Sequence, residues 1–145
     1  MLKPDFLPSH IGWHSAATND QLIDDLSHYI AQELVFSLRN KTRVSLAVSG
    51  GRSPVKLFEK LAWTRLDWSK VDVTLVDERW VSVSLEDSNE WLVRRHLLKG
   101  LAAKAGFFGL KNKCLTAKSG PKKCQSDLLN LSLPLDHVIL GMGFD

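Results

Sequence analysis

The feature that most constrains the fold is residues 44–54, an apolar run that breaks into two adjacent glycines and restarts at a proline. Residues 44–48 alternate aliphatic and small side chains over the length of a strand, which is typical of a strand buried in a parallel sheet. Gly50 and Gly51 then permit backbone conformations, or a close approach of another group, that larger residues resist. The segment therefore predicts a buried strand followed by a tight turn.

This turn is expected to lead directly into a helix. Ser53 is a good N-cap, Pro54 suits the first helical position, and apolar residues continue at helical spacing as far as Leu61. A helix N-terminus carries free backbone N–H groups and the positive end of the helix dipole. With the glycines and Arg52 beside it, this N-terminus is expected to attract a phosphate or a carboxylate, although two glycines can also serve only to turn the chain.

A second apolar run at residues 71–76 ends in the charged segment Asp77–Arg79. A strand, a helix and another strand in this order predict a βαβ unit with parallel strands. The carboxyl ends of both strands then lie at one edge of the sheet, where open α/β proteins bind their ligands. The glycine pair and residues 77–79 are therefore expected to lie together.

The charges after this second strand need solvent, a partner or a ligand, because an unpaired charge in an apolar setting is costly. A sugar phosphate would give Arg79 such a partner. The alternative is a structural ion pair, in which Asp77 or Glu78 binds Arg79 or a residue of a helix. The residues alone leave both interpretations open.

Two further elements are predicted before the glycine turn. Residues 11–15 are a candidate short edge strand. Thr18 and Gln21 form a capping box, which predicts the start of a helix. The apolar face expected for this helix repeats at helical spacing: Leu22, Leu26, Tyr29, Ile30 and Leu34.

Three more elements are predicted after the second strand. An N-cap cluster at residues 87–89 predicts a helix to Leu101, and Pro121 opens a shorter helix. Residues 135–140 are mainly aliphatic and end in glycine, which predicts a third parallel strand. The expected fold is a single α/β domain over residues 1–145, with an open, mainly parallel, Rossmann-like sheet and helices on both faces. A strand that ends in a glycine turn should lead to another helix, so the fold is expected to be incomplete at the C-terminus.

The composition is that of an ordinary globular protein, with 44% hydrophobic and 24% charged residues. No apolar run approaches the roughly 20 residues of a membrane helix, so no membrane partner is expected. The first residues lack the basic head and apolar stretch of a secretory signal, and the cytoplasm is the expected compartment. Cys114 and Cys124 have no companion Cys or His at zinc spacing, so they are expected to be free thiols without a metal.

The net charge of +3 is unevenly placed, because seven lysines and no acidic residue lie between Lys99 and Cys124. Nucleic-acid binding segments usually interleave such charges with aromatic residues or arginine, and here only Phe107 and Phe108 occur. A solvated lysine face is the favoured interpretation. We therefore expect no nucleic-acid partner.

Three motifs occur in order along the chain. Residues 49–54 read Ser-Gly-Gly-Arg-Ser-Pro, residues 77–81 read Asp-Glu-Arg-Trp-Val with Asp-Ser-Asn at 87–89, and residues 140–145 read Leu-Gly-Met-Gly-Phe-Asp. Together they resemble the motifs of the 6-phosphogluconolactonase family, within the wider group that includes glucosamine-6-phosphate deaminase. The deaminases tend to carry Asp-Glu-Tyr where this chain has Asp-Glu-Arg, so the resemblance favours a lactonase.

The resemblance implies hydrolysis of 6-phospho-D-glucono-1,5-lactone to 6-phosphogluconate in the oxidative pentose phosphate pathway, without a metal or an organic cofactor. The residues that it implies for the substrate phosphate are Ser49, Gly50, Gly51, Arg52 and Arg79. The other site residues that it implies are Asp77, Asn89, Gly141 and Gly143. Asp145 would be the catalytic acid near a general-base histidine.

The sequence departs from the family at this last position. The family's histidine lies two residues beyond Asp145, and none of the five histidines of this sequence stands in the matching motif. The isolated chain is therefore expected to have little lactonase activity. Two alternatives remain: a non-catalytic sugar-phosphate-binding remnant or assembly subunit, and a deaminase-like isomerase with Asp77 as its base. An unpaired sheet edge would also favour a homo-oligomer.

Overall fold

The computed structural model describes residues 4–114 and 116–142. The strands of this part of the chain are β1 (Val44–Val48), β2 (Val71–Leu75), β3 (Gly106–Phe108) and β4 (His137–Ile139). The α-helices are α1 (Asn19–Ser37), α2 (Val55–Leu61), α3 (Asn89–His96) and α4 (Pro121–Leu128). The strand order is β3-β2-β1-β4, and each neighbouring pair is parallel. The predicted α/β fold with an open parallel sheet is confirmed.

The central strands β1 and β2 are buried along their whole length. Successive side chains of a strand point to opposite faces, so this burial means that both faces of the pair are covered. The core that packs on them includes Leu34 of α1, Phe58 of α2 and Val93 of α3. The two strands pair in register from their first residue to their last, and the segments that follow them therefore start side by side.

Helix α1 begins as predicted, because the hydroxyl of its N-cap Thr18 accepts a hydrogen bond from the backbone N–H of Gln21 at 3.2 Å. The predicted apolar face is correct for Ile30 and Leu34, which are buried. It is wrong for the first half of the helix, where α1 meets α2 through two ion pairs. The predicted apolar residues that are exposed are Leu22, Leu26 and Tyr29.

Two predictions near the turns are also corrected. Residues 11–15 form no strand, since the edges of the sheet are β3 and β4. Helix α2 begins at Val55, with Pro54 rather than Ser53 as its N-cap. The turn that starts at the glycines continues through Ser53, which is why its hydroxyl caps no helical N–H group.

The region after α3 differs from the prediction as well. Helix α3 ends at His96, and the expected continuation to Leu101 is instead a loop and a 3-10 helix at Gly100–Lys104. Strand β3 was not predicted, because three residues inside a lysine-rich stretch give too short a pattern to recognise. No helix within residues 4–114 and 116–142 has the length and apolar character needed to cross a membrane. Cys114 and Cys124 are free thiols, as predicted.

Asp136 fixes the edge strand β4 onto β1. Its Oδ2 accepts hydrogen bonds from the backbone N–H and the hydroxyl of Ser45, at 2.9 and 3.2 Å, and its Oδ1 pairs with Lys41. Burial raises the pKa of Asp136, but the hydrogen bonds from Lys41 and Ser45 outweigh it and hold the pKa below its ordinary value. The ionised carboxylate therefore stabilises the pairing that carries Gly141 towards the end of β1.

Replacing Asp136 with alanine should lower the free energy of unfolding by about 1–3 kcal/mol, because the donors of Ser45 lose their acceptor. A group with a depressed folded-state pKa stabilises the protein above its unfolded-state pKa, and this stability is lost as the pH falls through the folded-state value. The difference between wild type and variant should therefore shrink below about pH 4. Urea unfolding at neutral and acidic pH measures both effects.

The matched control is Asp127→Ala, which removes an exposed ion pair with Lys123 on α4. An exposed pair of this spacing contributes less than about 0.5 kcal/mol, so this variant should unfold almost like the wild type. Equal losses of stability in Asp136→Ala and Asp127→Ala would contradict the anchoring role of Asp136.

Candidate functional site

The glycine turn leaves β1 at the carboxyl edge of the sheet. Gly51 has φ = +95°, in the left-handed region that favours glycine. Within the part of the chain that the structure describes, the backbone N–H groups of residues 50–53 have no hydrogen-bond acceptor. Consecutive backbone N–H groups of this kind, at a turn from strand to helix, bind phosphates and other anions.

Ser49 joins this turn to the edge strand. Its backbone N–H donates to the carbonyl oxygen of Ile139 at 3.1 Å, and its hydroxyl accepts from the backbone N–H of Gly141 at 2.9 Å. Two predicted site residues, Ser49 and Gly141, are thus brought together from the ends of β1 and β4. Since the hydroxyl is an acceptor in this bond, its own proton can be donated to a ligand.

Gly50 lies directly against Asn89, another predicted site residue. A Cβ atom on Gly50 would lie 1.9 Å from Oδ1 of Asn89, which is far inside van der Waals contact. Asn89 is only 5% exposed, and its Nδ2 donates to the carbonyl oxygen of Asp77 at 3.1 Å and to the Asp77 carboxylate at 3.4 Å. Asn89 therefore connects the turn after β1 with the turn after β2, as the parallel topology predicts.

Glu78 contacts the N-terminus of α3. Its Oε1 accepts from the backbone N–H groups of Asn89 and Arg79, at 2.7 and 2.8 Å. Its Oε2 accepts from the backbone N–H of Glu90 at 2.8 Å and from the hydroxyl of Ser88 at 3.0 Å. Because these donors are neutral groups, the contacts of Glu78 are hydrogen bonds and not an ion pair with a cationic side chain. The sequence gives no local signal for this contact, because the N-cap lies ten residues after Glu78.

The two arginines predicted at the site, Arg52 and Arg79, are both exposed. One guanidinium nitrogen of Arg79, Nη1, donates to the carbonyl oxygen of Asp87 at 3.0 Å. A guanidinium has five N–H donors, so this bond leaves others to a ligand. The carboxylate of Asp77 is exposed at the same edge. Gly143 and Asp145, which were also predicted at the site, lie outside the described residues.

The arrangement favours an anionic ligand that also carries hydroxyl groups. Backbone N–H groups and arginines can bind a phosphate, while the Asp77 carboxylate and the Ser49 hydroxyl can bind neutral polar groups. No group of three or more His, Cys, Asp or Glu residues within 4–114 and 116–142 is placed to hold a metal ion. The fold and the site define an α/β protein with a glycine turn at the carboxyl edge of its parallel sheet, where proteins of this class bind their ligands.

Comparison with known proteins gives the family. Residues 17–145 match the family model described as "Glucosamine-6-phosphate isomerases/6-phosphogluconolactonase". The chain belongs to this family. The matched range includes all three motifs and both turns that form the candidate site.

Individual relatives agree with this assignment. The chain is 43% identical over 139 residues to a 6-phosphogluconolactonase of Pseudomonas putida and 44% identical over 142 residues to one of Pseudomonas aeruginosa. These alignments cover 96% of this chain but only 57% and 58% of the relatives, so the chain spans little more than half of their length.

Solved structures show the same fold. A 6-phosphogluconolactonase from Shewanella baltica is similar with a TM-score of 0.85 at 44% identity, over 87% of this chain and 54% of that one. A structure from Thermotoga maritima, at 24% identity, has a TM-score of 0.76 over 87% of this chain and 58% of that one. The fold is therefore common to sequences that have diverged widely.

The contact between Gly50 and Asn89 predicts a steric coupling. Gly50→Ala should lower the free energy of unfolding by about 1–3 kcal/mol, because the new methyl group overlaps a side chain that is held by Asp77. Adding Asn89→Ala to Gly50→Ala should recover part of this loss, with a coupling of about 0.5–3 kcal/mol in a double-mutant cycle measured by urea unfolding.

Gly141→Ala serves as the control, because among the described residues its Cβ would meet only the hydroxyl of Ser49, at the ordinary distance of 3.4 Å. It should change stability little. Strict additivity of Gly50→Ala and Asn89→Ala would show that the two residues do not restrict each other.

Proposed function

We propose that the chain carries the sugar-phosphate site of a 6-phosphogluconolactonase, which hydrolyses 6-phospho-D-glucono-1,5-lactone to 6-phosphogluconate. The observation that carries this proposal is the row of four backbone N–H groups at residues 50–53, which have no acceptor among residues 4–114 and 116–142, at the sheet edge that also presents Arg79. The names of the relatives support the reaction, and the arginine of the Asp-Glu-Arg motif favours a lactonase over a deaminase-like isomerase.

In this proposal the 6-phosphate binds the glycine turn, Arg52 and Arg79. A phosphate dianion makes its strongest hydrogen bonds with guanidinium groups and with backbone N–H groups at a helix start. This group does not react, so its binding energy can orient the rest of the substrate. The sugar hydroxyls can then bind the Asp77 carboxylate and the Ser49 hydroxyl, and the lactone carbonyl would lie towards the end of β4, near Gly141.

The chemical step needs a base and an oxyanion site. The family resemblance places a general-base histidine two residues after Asp145, with Asp145 beside it and Gly141 and Gly143 in the same segment. The histidine would take a proton from water as the water attacks the carbonyl carbon, and nearby N–H donors would stabilise the oxyanion. Ester hydrolysis of this kind requires neither a metal nor an organic cofactor, and we expect none.

Further expectations accompany the proposal. We expect residues 1–145 to form one domain, because one apolar core joins the sheet to α1, α2 and α3. We expect a cytoplasmic enzyme of carbohydrate metabolism. Nucleic acid is not an expected partner, since lysines such as Lys99 and Lys123 pair with the protein's own carboxylates. The edge strand β4 exposes Val138, so a second copy of the chain could pair there.

Arg79→Ala should weaken the binding of 6-phosphogluconate about 10- to 100-fold, because a hydrogen bond to a charged group contributes about 1.5–3 kcal/mol. Isothermal titration calorimetry with the wild type and the variant measures this change. Arg65→Ala is the control, since Arg65 is an exposed arginine on the connection before β2, away from the glycine turn. Equal affinities of Arg79→Ala and wild type would remove Arg79 from the site.

Residues 1–145, produced by themselves, should bind 6-phosphogluconate but not accelerate hydrolysis of the lactone appreciably. A general base contributes a factor of about 100 to 10,000, and the resemblance places that base outside these residues. A coupled assay for 6-phosphogluconate with fresh lactone measures the rate against the uncatalysed background. Rapid hydrolysis would contradict the assigned base. Failure of the wild type to bind 6-phosphogluconate, or release of ammonia from glucosamine 6-phosphate, would contradict the proposed function.

A further inference from the structure

Glu78 lies beside the proposed site but was assigned no role in it. We infer that Glu78 is a positioning residue, whose carboxylate joins the turn after β2 to the N-terminus of α3 and thereby holds Asn89 against the glycine turn. This inference rests on the proposed function, because the site that Glu78 arranges is the sugar-phosphate site.

The N–H groups at the start of α3 are bonded by the protein itself. A helix leaves its first four N–H groups without partners inside the helix. In α3 the first of these N–H groups, that of the N-cap Ser88, donates to the carbonyl oxygen of Leu85 at 3.0 Å. Those of Asn89 and Glu90 donate to Glu78 at 2.7 and 2.8 Å, and that of Trp91 donates to the hydroxyl of Ser88 at 3.2 Å. All four donors are therefore used within the protein, and the positive end of the helix dipole faces the Glu78 carboxylate. The anion of a substrate is left with the glycine turn.

Glu78 acts on the glycine turn through Asn89. The carboxylate bonds the backbone of Asn89, and the side chain of Asn89 lies against Gly50 with no room for a methyl group between them. The same Oε1 accepts from the backbone N–H of Arg79. The Glu78 carboxylate thus fixes the positions of two groups: Asn89, which packs on the glycine turn, and the backbone of Arg79, the proposed phosphate-binding arginine.

The negative charge of Glu78 distinguishes a positioning role from a purely electrostatic effect on phosphate binding. Glu78 is an acidic residue near a site for an anion, so Coulomb's law predicts that its removal tightens phosphate binding. A positioning role predicts the opposite, since the turn and Arg79 lose their arrangement when the carboxylate is lost. The two explanations therefore differ in the sign of the effect.

The experiment compares Glu78→Gln with two controls by calorimetric titration with 6-phosphogluconate and by thermal unfolding. Glu86→Gln removes the same charge from an exposed position between the turn and α3. Glu90→Gln removes a buried carboxylate from the first turn of α3, where Oε1 of Glu90 accepts from Nε of Arg94 at 2.8 Å. It therefore reports the effect of lost stability alone.

Glu78→Gln should raise the Kd at least about tenfold, because a glutamine cannot accept all four hydrogen bonds. Glu86→Gln should leave the Kd unchanged or slightly lower, and Glu90→Gln should lower the Tm without changing the Kd. An unchanged or lower Kd for Glu78→Gln would overturn the inference. If Glu78→Gln does not fold, Ser88→Ala, which removes one of the four hydrogen bonds to Glu78 together with the N-cap bond to Trp91, should change the Kd in the same direction but less.

A readout without ligand separates this inference from the proposed function. In ¹⁵N-labelled protein, the amide signals of Gly50 and Gly51 should shift in Glu78→Gln and stay in place in Glu86→Gln. If the wild type does not bind 6-phosphogluconate, the proposed function fails, and these signals still decide whether Glu78 arranges the turn. Unmoved glycine signals in Glu78→Gln would overturn the inference even if the affinity fell.

Discussion

The in-register parallel pairing of β1 with β2 is the constraint on which the rest of the structure depends. Both strands are buried on both faces, and they end at the same level of the sheet. Burial fixes the register, because a slip by one residue would reverse the face of every side chain. The two segments that follow, the glycine turn and residues 77–79, are consequently neighbours that contact each other through Asn89.

The polar groups at this edge divide into two kinds. Glu78, Ser88 and Asn89 satisfy one another and the start of α3, so they form a rigid support inside the protein. The N–H groups of residues 50–53 have no acceptor among the described residues, and Arg52, Asp77 and Arg79 are exposed. A hydrogen-bonded support beside exposed groups that can still bind a ligand is the arrangement expected of a binding site that is formed before its ligand arrives.

The sequence predicted the central strands and the two turns because their signals are local: an apolar run, a glycine pair, an N-cap. The family resemblance named Asn89 as a site residue, and the structure places its side chain against Gly50 of the glycine turn. The role of Glu78 could not be predicted, because ten residues separate it from the N-cap that it contacts. Nor could the exposure of Leu22, Leu26 and Tyr29, since a regular apolar spacing does not show which part of a helix the core covers. Strand β3 is too short for a pattern, and only its partner β2 defines it.

The hydrogen bond between the Ser49 hydroxyl and the Gly141 N–H makes the edge strand sensitive to whatever binds the turn. Strand β4 has only three residues and an exposed Val138, and short strands with few buried contacts open more readily than buried ones. A ligand that forms a hydrogen bond with Ser49 favours the state in which β4 is paired with β1, since binding stabilises the state to which the ligand binds. If the proposed site binds its ligand through Ser49, amide hydrogen exchange along β4 should therefore become slower when a site at the end of another strand is occupied.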